Sequence, residues 1–168
     1  MTTETTTARL FHTLVVDVEN KPGVLARVAG LFSRRGFNIE SLAVAPTDDD
    51  RFSRITIAVD AESAPLDQVV KQLDKLINVV NIRELDASMA TERELMLASV
   101  TVPQAARPSL LVDQSGFDLL ILEENDRAVT LSFSGTPARV DELEALLQPY
   151  GITEIQRTGK IALPRLES

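Results

Sequence analysis

The chain has no cysteine, which excludes disulfides and thiolate metal sites and leaves the redox compartment open. Basic residues are scarce: 17 Lys and Arg stand against 25 Asp and Glu, for a net charge of −8. Nucleic-acid and anionic-membrane surfaces want clustered Lys and Arg, so this balance argues against both partners. Glycine and proline are few, 7 and 8 in 168 residues, and 44% of the chain is hydrophobic, a globular composition rather than a disordered one. No apolar run approaches the roughly 20 residues of a membrane span, and the polar start MTTETTTAR lacks the apolar stretch of a signal peptide. A soluble, cytoplasmic protein of one or two small domains is therefore expected. Also missing are a Ser-His-Asp set, a metal-ligand cluster and a dinucleotide fingerprint. The one histidine, His12, opens a strand, where histidine is more often structural than catalytic. Catalytic and metal-binding residues are expected to be absent.

What is present is periodicity. Residues 1–9 read as a disordered tail. Leu14, Val16 and Val18 alternate within a strand from Leu10 to Val18. Val24, Leu25, Val28, Leu31 and Phe32 then recur at helical spacing, and Gly36 ends that helix. Asn38 to Ala45 is strand-like, Pro46 to Asp50 is a turn, and Phe52 to Val59 alternates as another strand. Leu66, Val69, Val70, Leu73, Leu76 and Ile77 predict a second amphipathic helix with Pro65 suited to its first turn, and Val79 to Leu85 predicts a closing strand. The order is βαββαβ, the split-βαβ ferredoxin-like motif.

The pattern recurs after a polar linker at residues 87–92. Strands are expected at Glu94 to Val102, Leu119 to Glu123 and Ala128 to Phe133, with Asp126 in the turn between the last two. A weak helix over Gln104 to Gln114 works against Pro108 and Gly116. A helix over Ala138 to Gln148 points Val140, Leu143, Leu146 and Leu147 inward, and a last strand runs from Ile152 towards Leu163. The expected class is α+β, with two ferredoxin-like domains at residues 10–86 and 93–168.

The most informative stretch lies between Asp17 and Asp50. A strand end, a Pro-Gly turn and a helix start would aim free backbone amides at one point, where they suit a carboxylate. Gly23 lets a ligand approach the backbone, Asn20 sits where it caps the helix or touches the ligand, and Asn38 both donates and accepts, so it can read an amine as well. Val24, Leu25 and Ile39 are the apolar side chains that would wall in a small branched group. These features suit a free amino acid, and a sensor rather than a catalyst. On spacing alone the commoner explanation is a plain strand-to-helix turn beside an exposed strand opener.

Other features carry less. Asp48, Asp49 and Asp50 read as a solvated hairpin loop, since oxygen-ligand metal sites draw on spaced residues. Arg157 to Lys160 (RTGK) lacks the Gly-rich run and following helix of a phosphate loop. In the strand from Asn38, the residues Asn38, Glu40, Leu42 and Val44 share one face and Ile39, Ser41, Ala43 and Ala45 the other, neither cleanly polar. This strand falls at a sheet edge, and pairing it with the same strand of a second copy would give a two-fold homodimer. The alternative is a solvated edge guarded by Glu40 and the acidic turn.

These residues resemble the regulatory (small) subunit of acetohydroxyacid synthase, also called acetolactate synthase, from Phe11 to Pro164. The most specific run is GLFSRRGFNIESLAVAPTDDD, supported by ENKPGVL, SRITI at Ser53 to Ile57, KQLDKLINVVNI at Lys71 to Ile82, RELML at Arg93 to Leu97 and RTGKIALPR at Arg157 to Arg165. The resemblance implies that the first domain is an ACT domain, paired edge to edge, with valine or a related branched-chain amino acid at the dimer interface. One chain would supply Asn20, Lys21, Pro22, Gly23, Val24 and Leu25, and the other Asn38 and Ile39. It implies a large catalytic subunit as partner, carrying thiamine diphosphate, magnesium and FAD, which the small subunit activates and makes sensitive to feedback in branched-chain amino acid biosynthesis. No cofactor is implied on this chain itself. The second domain departs from the family: its first helix is weak, and the turn Val102 to Arg107 (VPQAAR) lacks the Asn-x-Pro-Gly arrangement, so no effector pocket is assigned there. The rivals are an ACT-domain amino-acid sensor with a different client and a small ferredoxin-like hydrolase. A hydrolase of that kind would need an Arg and Asn set around a phosphate loop.

Overall fold

A computed structural model describes residues 11–60, 65–86, 88–107, 110 and 116–166. The alternation in the first strand is answered by helices. Leu14, Val16 and Val18 on β1 (Phe11–Glu19) and Ile55, Ile57 and Val59 on β3 (Phe52–Asp60) face one layer. There they meet Val24, Val28, Leu31 and Phe32 of α1 (Val24–Arg35) and Val69 and Leu73 of α2 (Leu66–Leu73). All are nearly inaccessible to solvent, and they form the core of the first unit. Burial of a Leu or Phe side chain contributes about 2 kcal/mol each, which is why the apolar spacing dominates the local structure.

The sheet order is β2-β3-β1-β4, with β2 (Ile39–Pro46) and β4 (Val79–Leu85) at the edges and every neighbouring pair antiparallel. This is the expected βαββαβ arrangement. Three details differ from expectation. Helix α2 stops at Leu73, so Leu76 packs on the core from a turn and Ile77 is 90% exposed rather than inward. The turn is closed by Leu76 N–H to the Leu73 carbonyl and Val79 N–H to the Leu76 carbonyl, which swings Val79 into register with Val18. Pro65 is the residue before the helix, not in its first turn.

The third difference lies in β2. The register against β3 shifts between Ile39 and Ser41. An inserted residue reverses face parity, so Ile39 joins Leu42 against the helix-side core instead of lying opposite it. Ile39 pairs with Val59 and Leu42 with Ile57, both core residues.

The second copy repeats the order as β6-β7-β5-β8, from β5 (Ala90–Val100), β6 (Leu120–Glu124), β7 (Val129–Gly135) and β8 (Ile152–Arg157). Met96, Ala98 and Val100 of β5 pack with Leu131 and Phe133 of β7, under Val140, Leu143 and Leu147 of α3 (Pro137–Leu147). Leu146, expected inward, is 40% exposed on the outer side of that helix. The expected single last strand is two, β8 and β9 (Ile161–Pro164), broken at Gly159, whose φ of 75° only glycine adopts freely. β9 pairs with β5, and Arg165 N–H donates to the Met89 carbonyl, so the ladder begins at Ala90 and the expected linker at 87–92 is shorter. The described residues form two compact units, one reaching Thr91 and including the chain from Ala162, the other Glu92–Ile161.

The expected tail at residues 1–9 lies outside the described residues. So does most of the expected helix from Gln104 to Gln114. Gln104–Ala106 form a 3-10 turn after Pro103.

Candidate functional site

The end of β1 and the start of α1 are joined by Asn20 to Gly23. Gly23 takes the position before the helix with φ 84° and ψ −8°, a left-handed conformation that costs other residues about 1–2 kcal/mol. No side chain caps this helix end. An α-helix leaves its first-turn N–H groups without intrahelical partners and carries a positive dipole end there. A Cβ on Gly23 would meet nothing within 4 Å, and the Val24 N–H is taken by the Lys21 carbonyl at 3.3 Å. The requirement for glycine is thus the backbone angle, not crowding at its Cβ.

Asn20 is exposed but engaged. Its N–H donates to the Arg51 carbonyl at 2.7 Å and its Nδ2 to the Asp50 carbonyl at 2.9 Å. It therefore neither caps α1 nor points freely at a ligand; it ties the loop to the hairpin between β2 and β3. That hairpin is stiffened by Asp49, whose carboxylate takes the Arg51 guanidinium through both oxygens and the Arg51 N–H as well. The Arg51 hydrogen bonds lower the Asp49 pKa to about 2. The acidic triplet is thus a turn closure. Among the described residues, no group of His, Asp and Glu is placed to hold a metal ion.

On the other side, Lys21 Nζ reaches Glu19 Oε1 at 3.0 Å, and Glu19 Oε2 accepts from Asn78 Nδ2 at 2.5 Å. Hydrogen bonds from Asn78 and then Lys21 hold the Glu19 carboxyl below its ordinary value. Arg27 Nη1 donates to Asn78 Oδ1 at 2.7 Å. Between α1 and the α2–β4 turn opens a cleft of about 250 Å³ lined by Val24, Arg27, Val28, Leu76, Asn78 and Val79, with Lys75 and Ile77 at hand. Neither Glu19, Arg27 nor Asn78 was marked by spacing; an asparagine closing a helix-to-strand turn was the only signal.

Of the expected apolar wall, Leu25 is 43% exposed and available. Val24 is 4% exposed and belongs to the core, and Ile39 is half-buried against the same core. Pro22 and Lys21 are exposed. Asn38 lies just before β2, and its carbonyl accepts from Asp60 N–H. Asp60 is the far end of β3 from Phe52 and Arg51, where Asn20 is bonded. At about 3.3 Å per strand residue, Asn38 and Asn20 of one chain are separated by roughly 26 Å. Within one chain the antiparallel ladder puts the two asparagines at opposite ends of the sheet.

Among the described residues, the corresponding turn of the second copy is built differently. Val102 to Arg107 carries no glycine, and Arg107, 7% exposed, turns back to bond Glu124 Oε2 at 2.9 Å and the Ala128 carbonyl. Gln104 N–H bonds the Asp126 carbonyl, so the tie from this turn to the hairpin is present here as well. In the RTGK segment, Arg157 binds both oxygens of buried Glu94 and reaches Asp141 and Glu144, while Lys160 pairs with Glu92. Those hydrogen bonds, from Glu94 first, hold the guanidinium protonated beyond its usual range. These are ion pairs of the fold. His12 lies 3.6 Å from Glu84. Among the described residues no helix is long and apolar enough to cross a membrane.

The ferredoxin-like sheet, with the Gly23 turn before its first helix, has the architecture of an ACT domain. Residues 14–81 match the family model described as an AHAS small subunit-like ACT domain, and residues 93–166 match that of the small subunit of acetolactate synthase. The chain is 44% identical to the acetolactate synthase small subunit of Mycolicibacterium smegmatis over 154 residues, 92% of this chain and 91% of the other. It is 44% identical to the probable acetolactate synthase small subunit of Archaeoglobus fulgidus, over 92% and 96% of the two chains. The crystal structure of the acetolactate synthase small subunit from Thermotoga maritima superposes with a TM-score of 0.86 at 30% identity, covering 95% of this chain and 99% of that one. This chain belongs to the acetolactate synthase small-subunit family.

Proposed function

We propose that this chain activates a large catalytic acetolactate synthase subunit and makes it sensitive to feedback by valine, or a related branched-chain amino acid, bound at a seam between two copies. The chain itself performs no catalysis. Thiamine diphosphate, magnesium and FAD belong to the catalytic partner, and the complex works in the cytoplasm. The observation that carries the effector site is the start of α1 behind Gly23, which no side chain caps. A carboxylate there gains several N–H donors and a favourable dipole end.

The separation of Asn20 from Asn38 within one chain supports a seam. If β2 pairs antiparallel with β2 of a second copy, the direction of the second strand reverses. Its Asn38 and Ile39 then approach the Pro46 end of the first, beside the hairpin that holds Asn20. Such pairing also satisfies the open edge of β2, where Val44 is 42% exposed. Valine then favours one arrangement of the dimer, and that arrangement holds the catalytic subunit in a less active state. A coupling of about 1–3 kcal/mol changes affinity roughly 5- to 150-fold.

The test is valine inhibition of the reconstituted complex. Asn38→Ala removes a ligand contact, Asn20→Ala releases the loop from the hairpin, and Gly23→Asp sets a carboxylate at the start of α1. Each should weaken inhibition while the complex still shows activation of the partner. An unchanged valine response in all three removes this site.

A further inference from the structure

We propose that Asn78 is a positioning residue for the effector loop: it holds the two ends of the loop in one geometry without touching the effector. The inference rests on reading residues 20–25 as that loop. Asn78 stands in the turn between α2 and β4, far away in sequence, yet it bonds the residues on either side of the loop. Its carbonyl accepts from Glu19 N–H at 2.9 Å, and its Nδ2 donates to Glu19 Oε2 at 2.5 Å. Its Oδ1 accepts from Arg27 Nη1 at 2.7 Å. Glu19 is the last residue of β1 and Arg27 closes the first turn of α1, with its N–H on the Gly23 carbonyl. One flat amide therefore sets the distance from the end of the strand to the start of the helix, and with it the direction of the first-turn N–H groups.

The chemistry asks for asparagine. The position needs a donor towards a carboxylate and an acceptor towards a guanidinium on one short side chain, and a primary amide supplies both. An aspartate of the same shape keeps the Arg27 bond and places like charge against Glu19. An alanine loses both. Glu19 carries the constraint into the loop, because its second oxygen holds Lys21 Nζ. The far side of the loop is tied independently through Asn20 to the β2–β3 hairpin. The loop is thus gripped between the edge strand that would form the seam and a turn on the opposite side of α1. A change in that turn is felt as a change in effector affinity.

The measurement is inhibition by valine of the complex with the catalytic subunit, together with calorimetric binding of valine to this chain. Asn78→Asp should raise the valine concentration for half-inhibition roughly tenfold, within the usual range of coupling between sites. Adding Glu19→Gln should restore most of that loss, because the glutamine amide donates to the new carboxylate, which still accepts from Arg27. An unchanged melting temperature for Asn78→Asp separates the positioning role from a loss of fold. Asn78→Ser, too short to bridge both partners, gives the same readout if the aspartate variant does not fold. A wild-type complex that responds to valine and an Asn78→Asp complex that responds equally would overturn this inference alone. So would a double variant no better than the single. A wild-type complex indifferent to valine overturns the effector-loop reading, and this inference with it.

Discussion

At the scale of single residues, the loop depends on side chains spent on backbone rather than on ligand. Asn20 bonds the Asp50 carbonyl, Asp49 grips Arg51, and Gly23 supplies a φ of 84°. Asp49 makes the pH dependence explicit. Its pKa falls from 3.8 to about 2 because Arg51 donates to its charged form from both side chain and backbone. A depressed folded pKa means the contribution is complete above about 3.8 and is lost as pH falls from there to about 2. Wild type should therefore be more stable than Asp49→Asn at pH 7, and the gap should close as the medium is acidified through that window. Urea midpoints at several pH values decide it; a gap that does not change with pH assigns the contact to neutral hydrogen bonding instead.

At the scale of elements, β2 is the decisive strand. It is an edge, it has a register shift after Ile39, and it leaves Val44 and Ala45 exposed beyond the half-buried Leu42. A shift of one residue decides which side chains face the core, so Ile39 and Leu42, on opposite faces by simple alternation, both pack against it. The edge already carries exposed Glu40. Val44→Glu adds a second carboxylate to an edge that would lie against its own copy, and like charges across paired strands destabilise. Sedimentation should then show weaker self-association with the far-ultraviolet dichroism of the fold retained. Undiminished association would place the dimer contact on another surface.

At the scale of the molecule, one architecture is used twice, and the turn after the first strand differs between the copies. In the second, Arg107 closes the corresponding turn onto β6 and β7. The net charge of −8 disfavours bringing two copies together at low salt. The effector would offset this, because linkage is reciprocal: if dimerisation completes the valine site, valine strengthens the dimer by the same factor. Saturating valine should lower the dimer dissociation constant by roughly 5- to 150-fold, read by sedimentation at several protein concentrations. A dissociation constant indifferent to valine would move the site away from the seam.

The order of elements in the first unit, most of both apolar cores, the Pro-Gly turn before α1 and the family were legible in the sequence, because each rests on local spacing or on a short run of residue types. Period-two and helical patterns need only neighbours along the chain. What tertiary structure alone decided was which ends meet. The antiparallel ladder sends Asn38 to the Asp60 end and Asn20 to the Arg51 end, the register shift turns Ile39 inward, and Asn78 crosses to Glu19 and Arg27. Such contacts join positions tens of residues apart. Their partners are chosen by strand register and helix packing, which no local pattern encodes.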